Sequence, residues 1–597
     1  ILLDQSEIAA LRDIPEHQQA GMLEAIVKEI GGLLDLNTFE FVSMDRVRSN
    51  QVIPTKLVLK VKTRADGSFD KNKARLVVQG FHQRIGKDFY STFSPMASLT
   101  SVRMVLAIAV KQNQDLIHMD VPQAFIRSFV DAEIYVRLPK GVNIMALNDM
   151  GKRVPLEKAN KVLRLLKSLY GIKQAPQLWN KELTRFLGTI GFQRLESESS
   201  VYVKHDGAHW SLILAEVDDL IITSTKSESI TELHKAFVKQ WDVKDWEVIR
   251  SFLGINMCYD KVNGVLAMDV KAKIDDFFKA HPTLAKLGSS NVPYCETNVK
   301  AAQANPTRSL RSSEQYMKDH FASIVGTLIY LSITVRPDIT YAVNQMAKGM
   351  HNPELPHIVA MTQTLKYLNS HRSLALVYRR GSNQVDGLFR ALGGMDGALQ
   401  SLVSTSETPG DPIVLFSDSD FANDPKTRKS ISGKATYYAG CLIGWQSKRQ
   451  PIIATSTHEA EIIAMSLTAR EGIWQRKLLT EIGVHANNDL LVTDGRLNAT
   501  PLLSDNKAST FTANNPSTGD RSKHIDVHHL KVREYVNSGD LRVVHIRTDY
   551  NVSDFFTKGL TIQKFASFRD YLMGEQPTSP TKAKRMPAAA PVFGAGG

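Results

Sequence analysis

Cysteine is scarce in this chain of 597 residues, which contains three: Cys258, Cys295 and Cys441. They lie far apart in the sequence, so neither a disulfide framework nor a zinc cluster is expected, and a reducing intracellular setting is the default. The sequence also lacks any run of about 18 apolar residues, which argues against a membrane-spanning helix. No charged segment followed by an apolar one opens the chain, so no secretory signal peptide is expected.

Basic residues are in surplus over acidic ones. Lys and Arg number 73 against 61 Asp and Glu, which gives a net charge of +12 and an isoelectric point near 9.3. This surplus suits a polyanionic partner, although a merely basic soluble protein would show it too. The length predicts roughly three to five domains. The chain begins Ile-Leu-Leu-Asp without Met, so we expect a fragment or a processed piece of a longer polyprotein.

Composition and hydrophobic periodicity divide the chain into six segments. The fold class that they predict is α/β, with an α+β first part followed by a separate α/β domain. In order, we predict a helical segment (1–45), an α/β region (46–260), a helical region (261–379), a Gly- and Ser-rich linker (380–411), a second α/β unit (412–573) and a disordered Pro- and Ala-rich tail (574–597).

Two adjacent acids, Asp218 and Asp219, lie between the short apolar runs 212–214 and 220–222. Such runs predict a β-hairpin with the acids at its tip. Adjacent carboxylates repel each other unless a cation lies between them, and a hard divalent ion with oxygen ligands would fit. Most such pairs are solvated turns, so a catalytic interpretation depends on the rest of the chain.

Further acids lie at the edges of predicted elements. Asp120 ends the apolar run 116–119 and is the candidate third acid of the first part, with a strand-capping Asp as the alternative. Acids scattered in this way can converge on one site, whereas the alternative is a set of ordinary surface acids. The candidates in the second α/β unit are Asp418 after the run 413–416, Glu461 at the opening of a helix, Asp505 after the run 501–503, and Asp554 before Phe555.

The first part resembles the reverse transcriptases of copia-type retrotransposon Pol polyproteins. Its acidic motifs, Asp120–Phe125 and Val217–Asp219, are similar to those of that family. Each motif is weak alone, but their joint order is highly specific, and the resemblance covers about residues 20–565. The other matching segments are Lys73–Val77, Phe93–Pro95, Leu169–Pro176 with Trp179, Phe252–Ile255, Arg336–Ile339 and Tyr341–Val343.

The resemblance implies an RNA-directed DNA polymerase in which Asp120, Asp218 and Asp219 hold two Mg²⁺ ions, with Mn²⁺ as a substitute. It also implies that two basic residues lie over the incoming triphosphate and that one aromatic ring blocks a ribose 2′-hydroxyl. Alternatively, the two basic residues are solvated cations on an exposed strand, and the aromatic residue belongs to the core. The substrate-binding residues by this resemblance are Lys73, Arg75, Phe125, Tyr170, Gly171 and Lys173.

Glu216 departs from the family pattern, because relatives carry Tyr at this position, two residues before the acid pair. A third carboxylate beside two others raises local repulsion and is expected to disturb primer or metal placement. This residue favours a rival interpretation, in which a decayed or co-opted copy binds nucleic acid without polymerising. A third interpretation is a structural polyprotein segment that acts only with other Pol parts. The intact acids favour the polymerase.

The second α/β unit resembles the ribonuclease H domain of the same elements. The resemblance implies that Asp418, Glu461, Asp505 and Asp554 bind two Mg²⁺ ions that activate water against an RNA phosphodiester. Asp420 is the alternative to Asp418 as a metal ligand, and Glu459 is the alternative to Glu461. The matching segments are Ser417–Asp420, Ser447–Gln450, Glu459–Glu461, Ser504–Asn506 and Lys523–Asp526.

The two resemblances together imply the partners of the chain. These are an RNA template, a DNA primer, an RNA/DNA hybrid, deoxynucleoside triphosphates and other Pol polyprotein parts, and no membrane. The implied location is a cytoplasmic virus-like particle or the nucleus.

Overall fold

The structure is a computed structural model, and it describes two units of the chain. The first unit comprises residues 1–47, 52–63, 69–147, 152–243 and 246–381; the second comprises residues 413–484, 492–493, 496–497, 499–515 and 530–574. The segments interpreted as a linker and a tail lie outside these residues almost entirely, and the segment Lys523–Asp526 lies outside them completely.

Helices and strands alternate through both units. The strands of the described residues are β1 (Leu2–Leu3), β2 (Phe39–Ser43), β3 (Val52–Thr63), β4 (Phe69–Val78), β5 (Ile117–Asp120), β6 (Tyr135–Arg137), β7 (Val142–Asn143), β8 (Met145–Leu147), β9 (Arg153–Pro155), β10 (Lys161–Leu165), β11 (Gln193–Arg194), β12 (Val201–Asp206), β13 (His209–Glu216), β14 (Asp219–Ser224), β15 (Trp246–Val248), β16 (Ser251–Phe252), β17 (Ile255–Asp260), β18 (Val265–Asp269), β19 (Leu376–Arg379), β20 (Ile413–Asp420), β21 (Ile431–Tyr438), β22 (Cys441–Arg449), β23 (Val492–Thr493), β24 (Arg496–Leu497), β25 (Thr500–Ser504) and β26 (Leu541–His545). The α-helices are α1 (Glu16–Asp35), α2 (Leu99–Lys111), α3 (Ala175–Thr189), α4 (Ser227–Trp241), α5 (Lys271–Ala280), α6 (Pro282–Ala285), α7 (Glu296–Ala304), α8 (Ser312–Asp319), α9 (Phe321–Thr334), α10 (Thr340–Ala347), α11 (Leu355–Ser370), α12 (Thr457–Ile482), α13 (Lys507–Asn514), α14 (Lys531–Asn537) and α15 (Ile562–Met573).

Sheet A, with the strand order β2-β10-β6-β3-β4, is covered by α1. The helix buries Met22, Ile26, Ile30 and Leu33, which recur at helical spacing, as the apolar stripe in its sequence predicts. Strand β4 alternates buried apolar residues with partly exposed basic ones. The alternation therefore places the basic side chains of β4 together on the face away from the apolar core.

Sheet B has the strand order β11-β12-β13-β14-β5-β15 and is buried on both faces. Successive residues of β13 and β14 point to opposite faces, so Leu212 and Ile221 pack in the apolar cluster that contains α2. Ile213 and Leu220 pack instead in the cluster that contains α3 and α4. Burial on both faces explains why the two apolar runs are continuous rather than alternating. The predicted hairpin is confirmed, because β13 and β14 pair antiparallel.

The region predicted to be helical, 261–379, consists of α5 to α11 framed by two strands. Strands β18 and β19 pair antiparallel and close sheet C, whose order is β16-β17-β18-β19. The strands lie at the two ends of the region, and the chain returns to the same sheet only after seven helices. No helix of the described residues is both long and apolar enough to cross a membrane.

Sheet D forms the centre of the second unit, with the order β22-β21-β20-β25-β26. Its first three strands are antiparallel, whereas β25 runs parallel to both β20 and β26. The long helix α12 packs on β20. Strand β20 continues through Asp420, so Asp418 lies inside the strand rather than after it as the sequence predicts. The α/β fold class is confirmed. Cys258, Cys295 and Cys441 form no disulfide with one another.

The buried guanidinium of Arg103 joins the two units. It projects from α2 and donates hydrogen bonds to the carbonyl of Ile443 in β22 (2.8 Å) and to those of Ile333 (3.0 Å) and Thr334 (2.8 Å) at the end of α9. It also lies over the ring of Trp445, 3.8 Å from its centroid. Burial lowers its pKa to about 10, and Tyr378 and Glu471 oppose that shift only in part. One side chain thus satisfies carbonyl groups from both units.

Replacing Arg103 with Met should lower the free energy of unfolding by about 3 kcal/mol, because buried carbonyl groups lose their donors while the side-chain volume is kept. Guanidinium-induced unfolding measures the change. The control is Arg185→Met, since Arg185 is exposed and pairs with Glu182 within one helix; that variant should change the value by less than about 0.5 kcal/mol. Equal changes in the free energy of unfolding for the two variants would show that Arg103 does not stabilise the contact between the two units.

Candidate active sites

The turn between β13 and β14 places the acids of the first candidate site. Val217 adopts a left-handed backbone conformation with φ of 57°, which a β-branched residue rarely takes. The indole nitrogen of Trp179 donates a hydrogen bond to the Val217 carbonyl at 2.5 Å. The Val121 amide donates to the Asp218 carbonyl at 2.9 Å. Hydrogen bonds to the carbonyl groups of both turn residues, Val217 and Asp218, therefore stabilise the tight turn.

The strand register brings the third acid to the same place. Asp219 begins β14 and lies directly opposite Asp120, which ends β5. Burial raises the pKa of Asp218, and the neighbouring Asp219 and Asp120 raise it further. Desolvation and Asp219 also raise the pKa of Asp120, although its side chain remains open to solvent on one side. The three predicted acids thus share one solvent-accessible edge of sheet B.

His118 contacts the acid cluster from β5. Its Nε2 lies 3.2 Å from Oδ1 of Asp219, and this hydrogen bond raises the pKa of the imidazole. The same ring makes an edge-on contact with Phe252 of β16, with centroids 6.4 Å apart. Sequence reasoning missed this residue, although its position two residues before Asp120 on a strand puts both side chains on one face.

The basic and aromatic residues predicted to bind substrate form a connected group. The guanidinium of Arg75 lies over the ring of Tyr170 at 4.7 Å, and that ring meets Phe125 edge-on at 5.0 Å. Burial and Arg75 lower the pKa of Lys73, whereas Asp120 acts in the opposite direction. Lys73 and Arg75 project from the same face of β4. The group therefore borders the acids with positive charge.

The last two predicted substrate residues connect this group to β4 and to the following loop. Gly171 has φ of 93°, and a Cβ there would lie 2.1 Å from the Val78 carbonyl, so only glycine allows this approach. The ammonium of Lys173 donates to the Gln83 carbonyl at 3.3 Å and lies 4.8 Å from the centroid of the Phe89 ring.

Glu216 is buried, and no Lys or Arg among the described residues pairs with its carboxylate. Oε2 accepts a hydrogen bond from the Ala97 amide at 2.9 Å. Burial raises its pKa; the Ala97 bond opposes that shift, and Asp219 and Glu198 reinforce it. Glu216 also lies opposite Asp219 in the hairpin. The position therefore adds a desolvated carboxyl group beside the acid pair.

The second candidate site collects acids from four elements. Asp418 comes from β20 and Glu461 from the first turns of α12. Asp505 follows β25, and Asp554 lies in the 3₁₀ turn Val552–Phe556. Gly433 allows this turn to approach β21, because a Cβ there would lie 2.7 Å from the Ser553 carbonyl. The four acids predicted from the sequence are brought together.

Neutral donors orient the acids of the second site. The Asn551 amide donates to Oδ1 of Asp505 at 3.1 Å and to the Ser417 carbonyl at 3.0 Å. The Thr557 hydroxyl donates to Asp418. Oε1 of Glu461 accepts the Ser419 amide at 3.3 Å. Burial and Asp554 raise the pKa of Asp418 to about 7, and burial with Asp418 raises that of Glu461 well above its usual range.

Two lysines supply positive charge to this site. Lys558 Nζ lies 2.7 Å from Oδ1 of Asp554 and 3.9 Å from Oδ2 of Asp418. Lys564 Nζ lies 2.7 Å from Oδ2 of Asp554. Burial acts to lower the pKa of Lys558, but Asp418 and Asp554 raise it overall. Sequence reasoning assigned neither lysine, although Lys558 follows Asp554 at helical spacing.

The alternative acids have other roles. Glu459 accepts hydrogen bonds from the Thr455 amide (2.6 Å) and hydroxyl (2.8 Å) at the beginning of α12. Asp420 accepts from the Asn423 side chain at 2.6 Å in the turn after β20. Both carboxylates are therefore engaged in local structure, which favours Glu461 and Asp418 as members of the site.

A divalent cation fits the second site by its donor chemistry. Within the described residues, Asp418, Asp505 and Asp554 are the one group of three His, Cys, Asp or Glu side chains whose ligand atoms all lie within 4.8 Å of one another. Oε2 of Glu461 is buried without a hydrogen-bond partner, as an unfilled ligand would be. The acids of the first site share an edge but do not meet that spacing, since Asp219 faces His118.

Comparisons with known proteins agree with the arrangement of the first unit. The family model described as reverse transcriptase (RNA-dependent DNA polymerase) matches residues 36–279. The retrovirus-related Pol polyprotein from transposon RE1 of Arabidopsis thaliana is 30% identical over 519 residues, which are 87% of this chain and 31% of that protein. The corresponding polyprotein from transposon TNT 1-94 of Nicotiana tabacum is 28% identical over 571 residues, 95% of this chain and 39% of that protein.

A solved structure of the foamy viral protease-reverse transcriptase in complex with RNA/DNA hybrid aligns with 89% of this chain and 54% of that chain, with 12% identity and a TM-score of 0.39. The chain spans about a third of the length of the two plant polyproteins. Sequence similarity to these polyproteins extends through both units, beyond the part that the family model covers. Residues 36–279 therefore match the reverse transcriptase family, and the chain as a whole is similar to part of the Pol polyproteins of copia-type transposons.

Proposed function

We propose that the first unit is an RNA-directed DNA polymerase that copies retrotransposon RNA into DNA from deoxynucleoside triphosphates. The observation that carries the proposal is the register that sets Asp219 opposite Asp120, with Asp218 at the hairpin tip beside them. The basic face of β4 supports it, because Lys73 and Arg75 border the acids where a triphosphate would need positive charge.

The residues of the first site divide the work of phosphoryl transfer. Asp120, Asp218 and Asp219 would hold two Mg²⁺ ions, which supply charge neutralisation and activation of the primer 3′-hydroxyl when bound. Arg75 can contact phosphate oxygens bidentately, and its stacking on Tyr170 limits its orientations. Phe125, held edge-on by Tyr170, would meet a ribose 2′-hydroxyl and so favour deoxynucleotides. Mn²⁺ would be accepted by the same oxygen donors.

We propose that the second unit is a ribonuclease H centre that cuts the RNA strand of the RNA/DNA hybrid product. Asp418, Glu461, Asp505 and Asp554 would hold two Mg²⁺ ions that activate water for phosphodiester hydrolysis. Their convergence from four separate elements, and the unpartnered Oε2 of Glu461, support this proposal. The protein holds the acids in place through Asn551 and Thr557.

The two activities should be separable. Asp218→Asn should lower primer extension on poly(rA)/oligo(dT) with Mg²⁺ by about a hundredfold or more, because a charge that the transition state needs is lost. Cleavage of RNA in a preformed hybrid should stay close to wild type. Asp505→Asn should have the reverse effect. The control is Asp319→Asn on the exposed face of α8, which should change neither rate. Loss of both activities in Asp218→Asn, with the fold intact, would contradict two independent centres.

A second candidate function, nucleic-acid binding without polymerisation, is favoured by Glu216 alone. Its buried carboxyl lies opposite Asp219, where an added negative charge opposes the assembly of ligands around a cation. A protein of this kind would bind the same template, primer and hybrid. It would give no extension product at any divalent cation concentration.

Glu216→Tyr should therefore raise the primer-extension rate without changing hybrid cleavage, because it removes a charge from the crowded turn. Glu216→Gln separates charge from shape, since its amide oxygen can still accept the Ala97 amide. Both rates are measured on purified wild type and variants. If both variants extend primers at the wild-type rate or slower, the chain has adapted to Glu216, and the residue is no sign of decay.

Binding to an RNA/DNA duplex should weaken steeply with salt, because a chain of net charge +12 releases counterions when it contacts phosphates. Between about 50 and about 200 mM salt, the affinity should fall about tenfold or more. Fluorescence anisotropy with a labelled hybrid provides the measurement. An affinity that does not change over this range would remove nucleic acid as the main partner.

A further inference from the structure

Lysine ammonium groups contact both carboxylate oxygens of the buried Asp554. Lys558 reaches Oδ1 and Lys564 reaches Oδ2, each at 2.7 Å, while the Asp554 side chain is fully buried. The two lysines have different origins. Lys558 lies one helical turn after Asp554 in the same segment, whereas Lys564 belongs to α15. The second ammonium therefore reaches the site from a separate element.

Packing on both units fixes the position of Lys564. The Thr561 hydroxyl accepts the Lys564 amide at 3.4 Å and caps α15. The neighbouring Phe565 stacks on Phe555, with centroids 4.9 Å apart, and meets Tyr367 of α11 edge-on at 5.6 Å. The helix is thus wedged between the second unit and the helical region of the first. Lys564 is consequently held near Asp554 rather than free to extend into solvent.

The Lys564 ammonium contacts a carboxylate that would also bind a metal ion. Asp554 is one of the three acids whose ligand atoms lie within 4.8 Å of one another. Four carboxylates meet two ammonium groups here, so the formal charge of the ionised centre is less negative than its acids alone would make it. An ammonium group and a divalent cation that contact the same carboxylate repel each other strongly at such short range.

We propose that the Lys564 ammonium competes with divalent cations for Oδ2 of Asp554. This competition lowers the metal affinity of the ribonuclease H centre. The inference rests on the proposed function of the second unit. Its ligand class is the hard divalent cation, with Mn²⁺ as the probe.

Mn²⁺ binding measured by isothermal titration calorimetry tests the competition directly. All proteins carry Asp218→Asn and Asp219→Asn, so that the first site contributes little to the measured Mn²⁺ binding. Lys564→Met should bind Mn²⁺ about tenfold more tightly than this background, because one positive charge near the ion is gone. Lys564→Arg keeps the charge and should bind within about twofold of the background. Lys531→Met, which removes a lysine paired with Glu534 on α14, is the matched control and should leave Mn²⁺ affinity unchanged.

The direction in which Lys564→Met changes the Mn²⁺ affinity distinguishes competition from a structural role of Lys564. If Lys564 only supports the fold, Lys564→Met loosens Asp554 and weakens Mn²⁺ binding. Unchanged or weaker binding therefore overturns the proposal. The Mg²⁺ concentration for half-maximal hybrid cleavage, measured with the first site intact, should fall by the same factor as the Mn²⁺ dissociation constant.

Asp505→Asn in the same background distinguishes failure of this inference from failure of the proposed function. It should abolish the calorimetric binding if the acids of the second unit hold the ion. Mn²⁺ binding that survives Asp505→Asn unchanged would overturn the metal assignment and the inference together. Binding that is lost in Asp505→Asn but not tightened in Lys564→Met would overturn the inference alone.

Discussion

Carboxylates that are crowded together away from water repel each other, and both candidate sites are built around this constraint. In the second unit, burial and Asp554 raise the pKa of Asp418 from 3.8 to about 7. A raised acid pKa means that the fold is favoured by protonation. Stability from this group is therefore present at low pH and is lost as the pH rises through this interval. Cations must offset the repulsion at neutral pH, and among the described residues Lys558 and Lys564 contact these acids.

Local patterns were sufficient to predict the placement of most acids. The apolar runs around Asp218 and Asp219 predict a hairpin, and the structure pairs β13 with β14 at that position. The run before Asp120 predicts a strand end, which is where β5 places it. Side-chain alternation is a property of one strand, so it can be deduced without knowing the neighbours. The convergence of acids from separate elements came from a family resemblance rather than from spacing.

Contacts between distant segments could not be deduced in this way. The buried hydrogen bond of Glu216 depends on a loop more than a hundred residues earlier, so no local pattern predicts it. Lys564 reaches Asp554 only because α15 packs against Phe555 and Tyr367. The left-handed Val217 contradicts local preference and is held by the Trp179 indole. Strain of this kind persists where surrounding structure determines the conformation, which is typical of functional turns.

The two sites differ in how completely the protein arranges them in advance, and the difference matches the two proposed reactions. The second site gathers Asp418, Asp505 and Asp554 around a common centre. A nuclease that receives a formed duplex can use such a fixed arrangement. In the first site the backbone brings the acids together, but the Asp219 carboxylate faces His118. A polymerase must take in a new triphosphate in every cycle, so a carboxylate that turns from His118 toward an arriving ion would couple ligand assembly to substrate entry. Arg103 joins α2 and α9 to β22, so one buried side chain connects the unit of the first site to the unit of the second.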